Sequence, residues 1–588
     1  MRSATSCFKT LVRSDLRHYW PIGFVYTGIW IIGLPVSIWN AAMSYGNKAQ
    51  RLAEVTDVTY NLQFMGVIMA AIFGVIMAMA AYSYLMTARS VGLHHSLPVK
   101  RSTQFFAHFT GGMGMLLLGN VIAAALTLVV EAVTGYVSLK ALLWWLVMVS
   151  LLDFIFFSIA IFCAMLTGWV LAVPVIYVGI NFVAVVLETL LESLAGIFYF
   201  GYVGDFDPLL VVYWLTPAMK LGGALRTDEW TNGPISHMDM EAVKITVIYA
   251  VFALALLGIS FLLYRLRHSE SAGDPVAYRW ARPIFRCAIA LVGGLALGMG
   301  VHDLVMLGNT SLPALMICVL LMMALCYIAA EMIICRSFRV FKSSWKGLAA
   351  LCAVLVLICV GLKMDVFGYQ TYVPEADEVK AITVSTNCNA GFDVSNCTDP
   401  DAIAGAIATH NAILAQGLDQ PAECDNTNSN VASCTVHLSY TMQNGRQVSR
   451  HYSVCMERGS ELHKVVNDLA GVEAVRTAAL LGDTLLKVED IYGGYVSCYG
   501  ENDYHYDESL SEEEAQELYA ALLRDVEQGH GRRDMMSDLY STVDMSFDTE
   551  KTDVSICSNG LTKDCTETIE LLLKMGVAEK AEDLFCHW

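Results

Sequence analysis

Hydrophobic residues in the first 366 positions fall into long unbroken blocks. The runs 20–42, 62–86, 110–132, 141–165, 169–191, 245–264, 312–335 and 347–366 are each close to the roughly 20 apolar residues that a helix needs to cross a bilayer. A ninth candidate, 287–308, carries His302 and Asp303 near one end. One further apolar run, Pro208–Leu221, is too short to cross and predicts an interfacial or re-entrant segment. Ahead of the first block, residues 5–19 set Phe8, Leu11, Val12 and Leu16 against Lys9, Arg13 and Arg17, the pattern of a helix lying in the membrane interface. The first block exceeds the roughly 7–15 residues of a cleavable signal core, so it reads as an uncleaved anchor.

Past residue 366 the pattern turns to short alternations and amphipathic stretches. Val379–Thr386 predicts a strand, and 401–416, 460–480, 511–527 and 566–575 predict helices, the third opened by a Ser511/Glu514 capping box. Thr435–Met442 and Arg446–Val454 predict a hairpin. A two-residue Asn444-Gly445 turn would put Leu438 and Tyr440 on the face of Ser449 and His451. A three-residue loop, 443–445, instead pairs Tyr440 with Val448 and Val436 with Tyr452, keeping apolar residues on one face with Gly445 left-handed. No internal repeat is evident.

Charge divides the chain at the same place. Residues 1–365 hold 23 Lys/Arg and 18 Asp/Glu, whereas 366–588 hold 14 and 38, a net −24. That excess of negative charge excludes nucleic acid as a partner of the tail. With the N-terminus inside, nine spans place 16 Lys/Arg in the inner segments and 7 in the outer ones, which obeys the positive-inside rule. Counting 208–221 as a span would put the Arg265–Arg286 cluster outside. The fold class is therefore a polytopic α-helical membrane protein of about nine transmembrane helices, N-terminus in and C-terminus out, with a C-terminal extracytoplasmic α+β domain. The tail holds nine of the 17 cysteines, several in close pairs (388/397, 424/434, 557/565), and no CxxC. In an oxidising space such pairs predict disulfides rather than a metal site.

Chemistry-bearing motifs are sparse. There is no phosphate-binding GxxxxGK[ST], no HExxH and no GxSxG. Small residues Gly66, Ala70, Gly74 and Ala78 form a stripe on the second span, a close-packing face within the chain or between two chains. Asp153 sits mid-span in LLDFIFF, where a bare carboxylate costs about 3 kcal/mol; it marks either a functional site or a hydrogen-bonded acid joining helices. Glu331 is expected to pair with Arg336 one turn on. His437 and His451 face each other in the chosen register, more in keeping with a solvated pair than a metal site. The loop 87–106, TARSVGLHHSLPVKRSTQFF, combines a helix-start signal at Ser96-Leu97-Pro98 with the basic residues Arg89, Lys100 and Arg101.

Within that loop, SLPVKR lies between spans two and three and resembles the motif of ABC-2-type ABC transporter permeases. Residues 1–264 also resemble that family's layout of an interfacial helix, six spans and a re-entrant element, here about 193–240. The resemblance implies that Ser96, Leu97, Pro98, Lys100 and Arg101 couple the chain to a separate ATPase subunit. It implies no cofactor of the chain's own, ATP being held by the partner, and a second permease subunit, identical or related. Residues 265–366 would add three spans and 367–588 the outer domain. That arrangement resembles a Gram-positive subgroup through the segments 365–384, 440–454 and 517–529. The expected function is the permease subunit of an exporter. Two rivals are a membrane sensor with an outer ligand-binding domain and a membrane-anchored outer enzyme.

Overall fold

The computed structural model describes the whole chain except residues 1–3, 96–98, 205–209, 226–239, 307–310, 367, 389–390, 418–423, 425–429, 483–484, 500–504, 538, 550–552, 557–560 and 588. Two compact units result, one of residues 1–191 with 206–355 and one of 192–205 with 356–588.

Helix α1 (Ala4–His18) is the amphipathic stretch, with Lys9, Arg13 and Arg17 exposed and Leu11, Val12 and Leu16 half-buried. The first predicted span is two helices, α2 (Trp20–Gly33) and α3 (Pro35–Ala42), because Pro35 lacks the N–H that a continuous helix would use. The second, α4 (Lys48–Tyr82), is far longer than the apolar run that announced it. It starts in a capping box made by Asn47 and Gln50. After a 3-10 turn comes the short α5 (Ala88–His95), then α6 (Arg101–Thr134), α7 (Leu139–Leu166) and α8 (Ala172–Phe198). Among the described residues, the apolar run at 208–221 contributes two short helices, α9 (Leu210–Trp214) and α10 (Pro217–Leu225), neither long enough to cross a bilayer. The remaining helices are α11 (Met240–Leu266), α12 (Arg282–Met306), α13 (Leu312–Cys335) and α14 (Phe341–Lys363). Among the described residues nine helices are long and apolar enough to cross a membrane, at the nine expected places.

The small-residue stripe is filled from within the chain. A Cβ on Gly74 would stand 3.1 Å from the main chain of Phe156 and Phe157, and one on Gly66 would stand 2.9 Å from Val149. Both neighbours lie on α7, and all four stripe residues are buried, so this face packs α4 on α7 and is not a dimer surface.

The tail departs most from expectation, since it carries one backbone plan twice in tandem. Its first module runs β1 (Val379–Asn387), β2 (Phe392–Cys397), α15 (Pro400–Ala415), β3 (Val431–Met442), β4 (Gln447–Glu457) and α16 (Glu461–Ala470). A short α17 (Glu473–Leu481) follows. The second module runs β5 (Ile491–Tyr499), β6 (His505–Leu510), α18 (Glu512–Glu527), β7 (Leu539–Ser541), β8 (Val543–Thr549), β9 (Asp553–Ile556), α19 (Thr566–Met575) and β10 (Phe585–His587). Both four-stranded sheets are antiparallel, ordered β2-β1-β3-β4 and β6-β5-β8-β9, while β7 pairs with β10 alone. Adding 112 maps Val379 to Ile491 and Pro400 to Glu512, and Gln416-Gly417 falls on Gln528-Gly529, while the pairings Val384–Leu438 and Val496–Met545 set β3 and β8 in equivalent places at an offset of 107. Register irregularities recur too, between Val379 and Ala381 in one copy and between Ile491 and Gly493 in the other. The helix expected over 460–480 is in fact α16 and α17, broken at Gly471-Val472. The hairpin register matches the expectation, with Tyr440 opposite Val448, Val436 opposite Tyr452, and Gly445 at φ +82°.

Cysteine pairing differs from the close-pair expectation. Cys388 lies at bonding distance from Cys434 and Cys424 from Cys455, with Cα–Cα separations of 4.6 and 5.6 Å. Antiparallel β1 and β3 set Asn387 opposite Thr435, which carries the next residue, Cys388, to Cys434. Cys557 lies outside the described residues.

Candidate functional site

The segment joining the second and third spans is clamped at both ends. At its start, the carbonyl of Leu85 accepts from Arg267 Nη2 at 3.2 Å, and Nη1 of the same guanidinium donates to Ala164 and Met165 at 3.1 and 3.2 Å. One buried arginine just past α11 thus ties together the ends of α4 and α7. At the other end, Arg101 Nη1 donates to the carbonyls of Arg265 and Arg267 at 3.2 and 3.4 Å. A cation on the carbonyls at a helix terminus is favourable twice over, by hydrogen bonding and by the helix dipole. Tyr84 and Tyr264 hydroxyls meet at 3.0 Å, and Tyr264 reaches Gln104 at 3.3 Å, so polar and aromatic contacts continue beneath the loop.

Of the residues expected to couple, Arg101 is engaged in this clamp and Lys100 is exposed. Ser96, Leu97 and Pro98 lie outside the described residues. The same end of the unit holds a second seam: Gly168 N–H donates to Asp274 O at 2.8 Å, Gly273 N–H to Gly168 O at 2.7 Å, and Ala277 N–H to Leu166 O at 2.8 Å. Arg336 donates to the Gly273 carbonyl, and Arg282 pairs with Asp274 at 3.6 Å. Glu331 therefore does not pair with Arg336. It meets Arg286 of α12 at 2.7 Å instead, because that neighbour lies directly across the helix pair.

Asp153 is fully buried on α7, with partners on two other helices. The Asn120 amide of α6 donates to its Oδ2 at 2.8 Å, and the Tyr26 hydroxyl of α2 lies 2.8 Å from the same oxygen and 2.7 Å from Asn120 Oδ1. The carboxyl thus joins three helices as a buried, hydrogen-bonded tie. A second tie, His108 to Asp15 at 2.8 Å, holds α1 against α6. Neither partner set is visible in the sequence, since the residues joined are 127, 33 and 93 positions apart.

Within the tail unit, residues 199–201 pack on the first module. Tyr199 stacks on Tyr369 at 5.1 Å, Phe200 N–H donates to Gln370 Oε1 at 3.0 Å, and His451 N–H donates to the Gly201 carbonyl at 3.3 Å. In the module core, His410 sits between the hydroxyls of Tyr452, 2.7 Å from Nε2, and Tyr440, 3.2 Å from Nδ1; burial and then the nearby Arg450 charge hold it down to about 4. His437 and His451 do face each other, 6.2 Å between ring centroids, and burial followed by the His451 charge lowers His437. A cleft of about 340 Å³ in the second module is lined by Arg532, Arg533, Asp534, Tyr540, Lys563 and Asp564. Arg533 is tied to the carbonyls of Gly391 and Ala479. Asp564 accepts from the Gly531 and Arg532 main chain. Much of that polar lining is thus engaged in the fold itself.

The chain matches no family model, no curated protein and no solved structure at a significant level.

Proposed function

We propose that this chain is the membrane subunit of an ATP-driven ABC transporter of the ABC-2 type, an exporter energised by a separate ATPase that docks on residues 87–109. The observation that carries the reading is the clamped segment between the second and third spans. A force applied there reaches α11 through Arg101, and reaches α4 and α7 through Arg267. A loop that served only to orient its flanking helices would not need such bracing. The interfacial α1 and the short α9 and α10 between the fifth and sixth candidate spans fit the same layout. ATP stays on the partner, and this chain supplies the docking surface, the helices that move and half of the pathway, a second permease subunit supplying the rest.

Sidedness follows in the same reading. Residues 199–201 lie just after the fifth candidate span, and they pack on the module that follows the ninth. An even number of crossings separates two points on one side of a membrane, so four spans between them agree with 208–221 not crossing. With the basic segments inside, both points are extracytoplasmic.

The test is co-purification in mild detergent. Leu97→Asp would place an unpaired charge in the docking contact and should release the ATPase and uncouple its hydrolysis, with insertion and expression unchanged. Retention of the ATPase by this variant, or co-purification of a histidine kinase in its place, would overturn the reading and favour a sensor.

A further inference from the structure

The two tail modules share a backbone plan but not a surface. Side chains alternate across a sheet, so each module has one face on its core and one turned away from it. In the first sheet the outward positions include a row of hydroxyls, Thr383, Ser385, Ser439 and Thr441, around the His437–His451 pair. In the second sheet, Val543, Met545 and Phe547 of β8 enter the core, leaving Asp544, Ser546 and Asp548 outward. On β5, Val496 and Cys498 enter the core and Tyr495 and Tyr499 face away, 40% and 57% exposed. On β6, Leu510 enters the core while Asp507 and Ser509 are exposed on the other side.

The register arranges these residues into one surface. Asp507 and Asp544 flank Ser497 on its two sides, and Tyr495 and Tyr499 lie two residues up and down the same strand. Strand spacing puts the two carboxylates about 10 Å apart, and each tyrosine lies about 7 Å along the strand from the row between them. No Lys or Arg occupies an outward position among the described residues of β5, β6 and β8. The surrounding charge has the same sign. Residues 482–588 carry 8 basic and 25 acidic side chains, net −17, against −7 for 366–481.

We propose that this face docks a cationic amphipathic peptide, its basic side chains over Asp507, Asp544 and Asp548 and its apolar stripe over the rings of Tyr495 and Tyr499. A helix advances about 1.5 Å per residue, so basic residues at i and i+7 span the distance from Asp507 to Asp544, and the intervening turn brings an apolar residue onto a tyrosine. A small cation would use the carboxylates and leave the rings idle. Nucleic acid and anionic lipid are repelled. Tyrosine adds a rigid amphipathic surface and a π-face for cations. The proposal stands independently of the ATPase reading, since it concerns only the second sheet.

The experiment uses the full chain in nanodiscs of zwitterionic lipid, with empty nanodiscs as the blank. The probe is a labelled Lys/Leu amphipathic peptide of about 18 residues. Saturable binding is expected, weakened about tenfold in Asp544→Asn/Asp548→Asn, and to a similar extent in Tyr495→Ser. A Thr441→Asn change on the first sheet should leave it unaltered. Charge reversal of the peptide, Glu for Lys, should abolish binding and requires no protein variant. Equal binding of the reversed peptide, equal affinity of the Asn double variant, or complete displacement by millimolar magnesium would each overturn the proposal.

Discussion

Acidification should loosen the first tail module through His410. Its imidazole is fully buried between two tyrosine hydroxyls, and that burial lowers it from its ordinary 6.5 to about 4. The unfolded chain therefore binds a proton that the folded chain refuses between those two values. Stability from this group is complete above about pH 6.5, falls as pH drops through the window, and is fully lost below about pH 4. The gap corresponds to about 3 kcal/mol in total, of which about 2 kcal/mol disappears between roughly pH 7 and 5. Hydrogen exchange of the β3–β4 amides in the detergent-solubilised chain reads this directly, because sub-global opening of one module does not require the membrane helices to unfold. His410→Gln retains a donor and an acceptor for Tyr440 and Tyr452 but cannot titrate. Its opening free energy should lie below wild type at neutral pH and lack the His410 share of the acid slope. If wild type and variant show the same slope from pH 7 to 5, His410 is not the titrating group and its buried, neutral placement is wrong.

Three further outcomes follow. Gly74→Val pushes a branched side chain into the Phe156–Phe157 main chain, which cannot yield as a flexible side chain would, and should cost about 1–3 kcal/mol in detergent thermal stability; an unchanged melting temperature would place α4 elsewhere. Asp153→Asn preserves an acceptor for Tyr26 and Asn120 and should be mild, whereas Asp153→Leu strands both and should cost about 1–3 kcal/mol per orphaned group, measured in the same way. Non-reducing peptide mapping should recover Cys388–Cys434 and Cys424–Cys455, and Cys434→Ser, which opens a loop with a sequence separation of 46, should cost about 4 kcal/mol; recovery of 388–397 or 424–434 peptides would contradict the β1–β3 register.

The membrane half was legible because a span is a composition signal over about 20 residues and needs no knowledge of neighbours. Its ties were not, since Asp153 reveals nothing about Tyr26 or Asn120, and Arg101 nothing about the α11 carbonyls, until the helices are placed. The β3–β4 hairpin could be read to the residue because local alternation and one glycine determine its register. The repeat is hidden in the sequence for a different reason. The two copies share strand order, cap positions and the Gln-Gly pair, but their core residues differ almost throughout, and β5 begins with Tyr492-Gly493-Gly494, which reads more like a turn than a strand. Val543–Thr549 alternates cleanly, but its partner β5 carries no matching alternation that would announce a sheet. The disulfide partners follow from strand register, so spacing along the chain could not yield them.

Two copies of one module in a single polypeptide are an internal standard. They share abundance, lipid, detergent and denaturant history, so a perturbation that differs between them is due to the modules themselves and not to the preparation. A titrant that shifts resonances from β5, β6 and β8 while leaving β1, β3 and β4 still identifies its own chemistry without a mutant. A condition that moves both equally reports on the scaffold. Exchanging only the outward residues at structurally equivalent positions, 112 apart on β1 and β5 and 107 apart on β3 and β8, would transplant a surface without touching a core, turning the tail into a ready-made pair of host and guest.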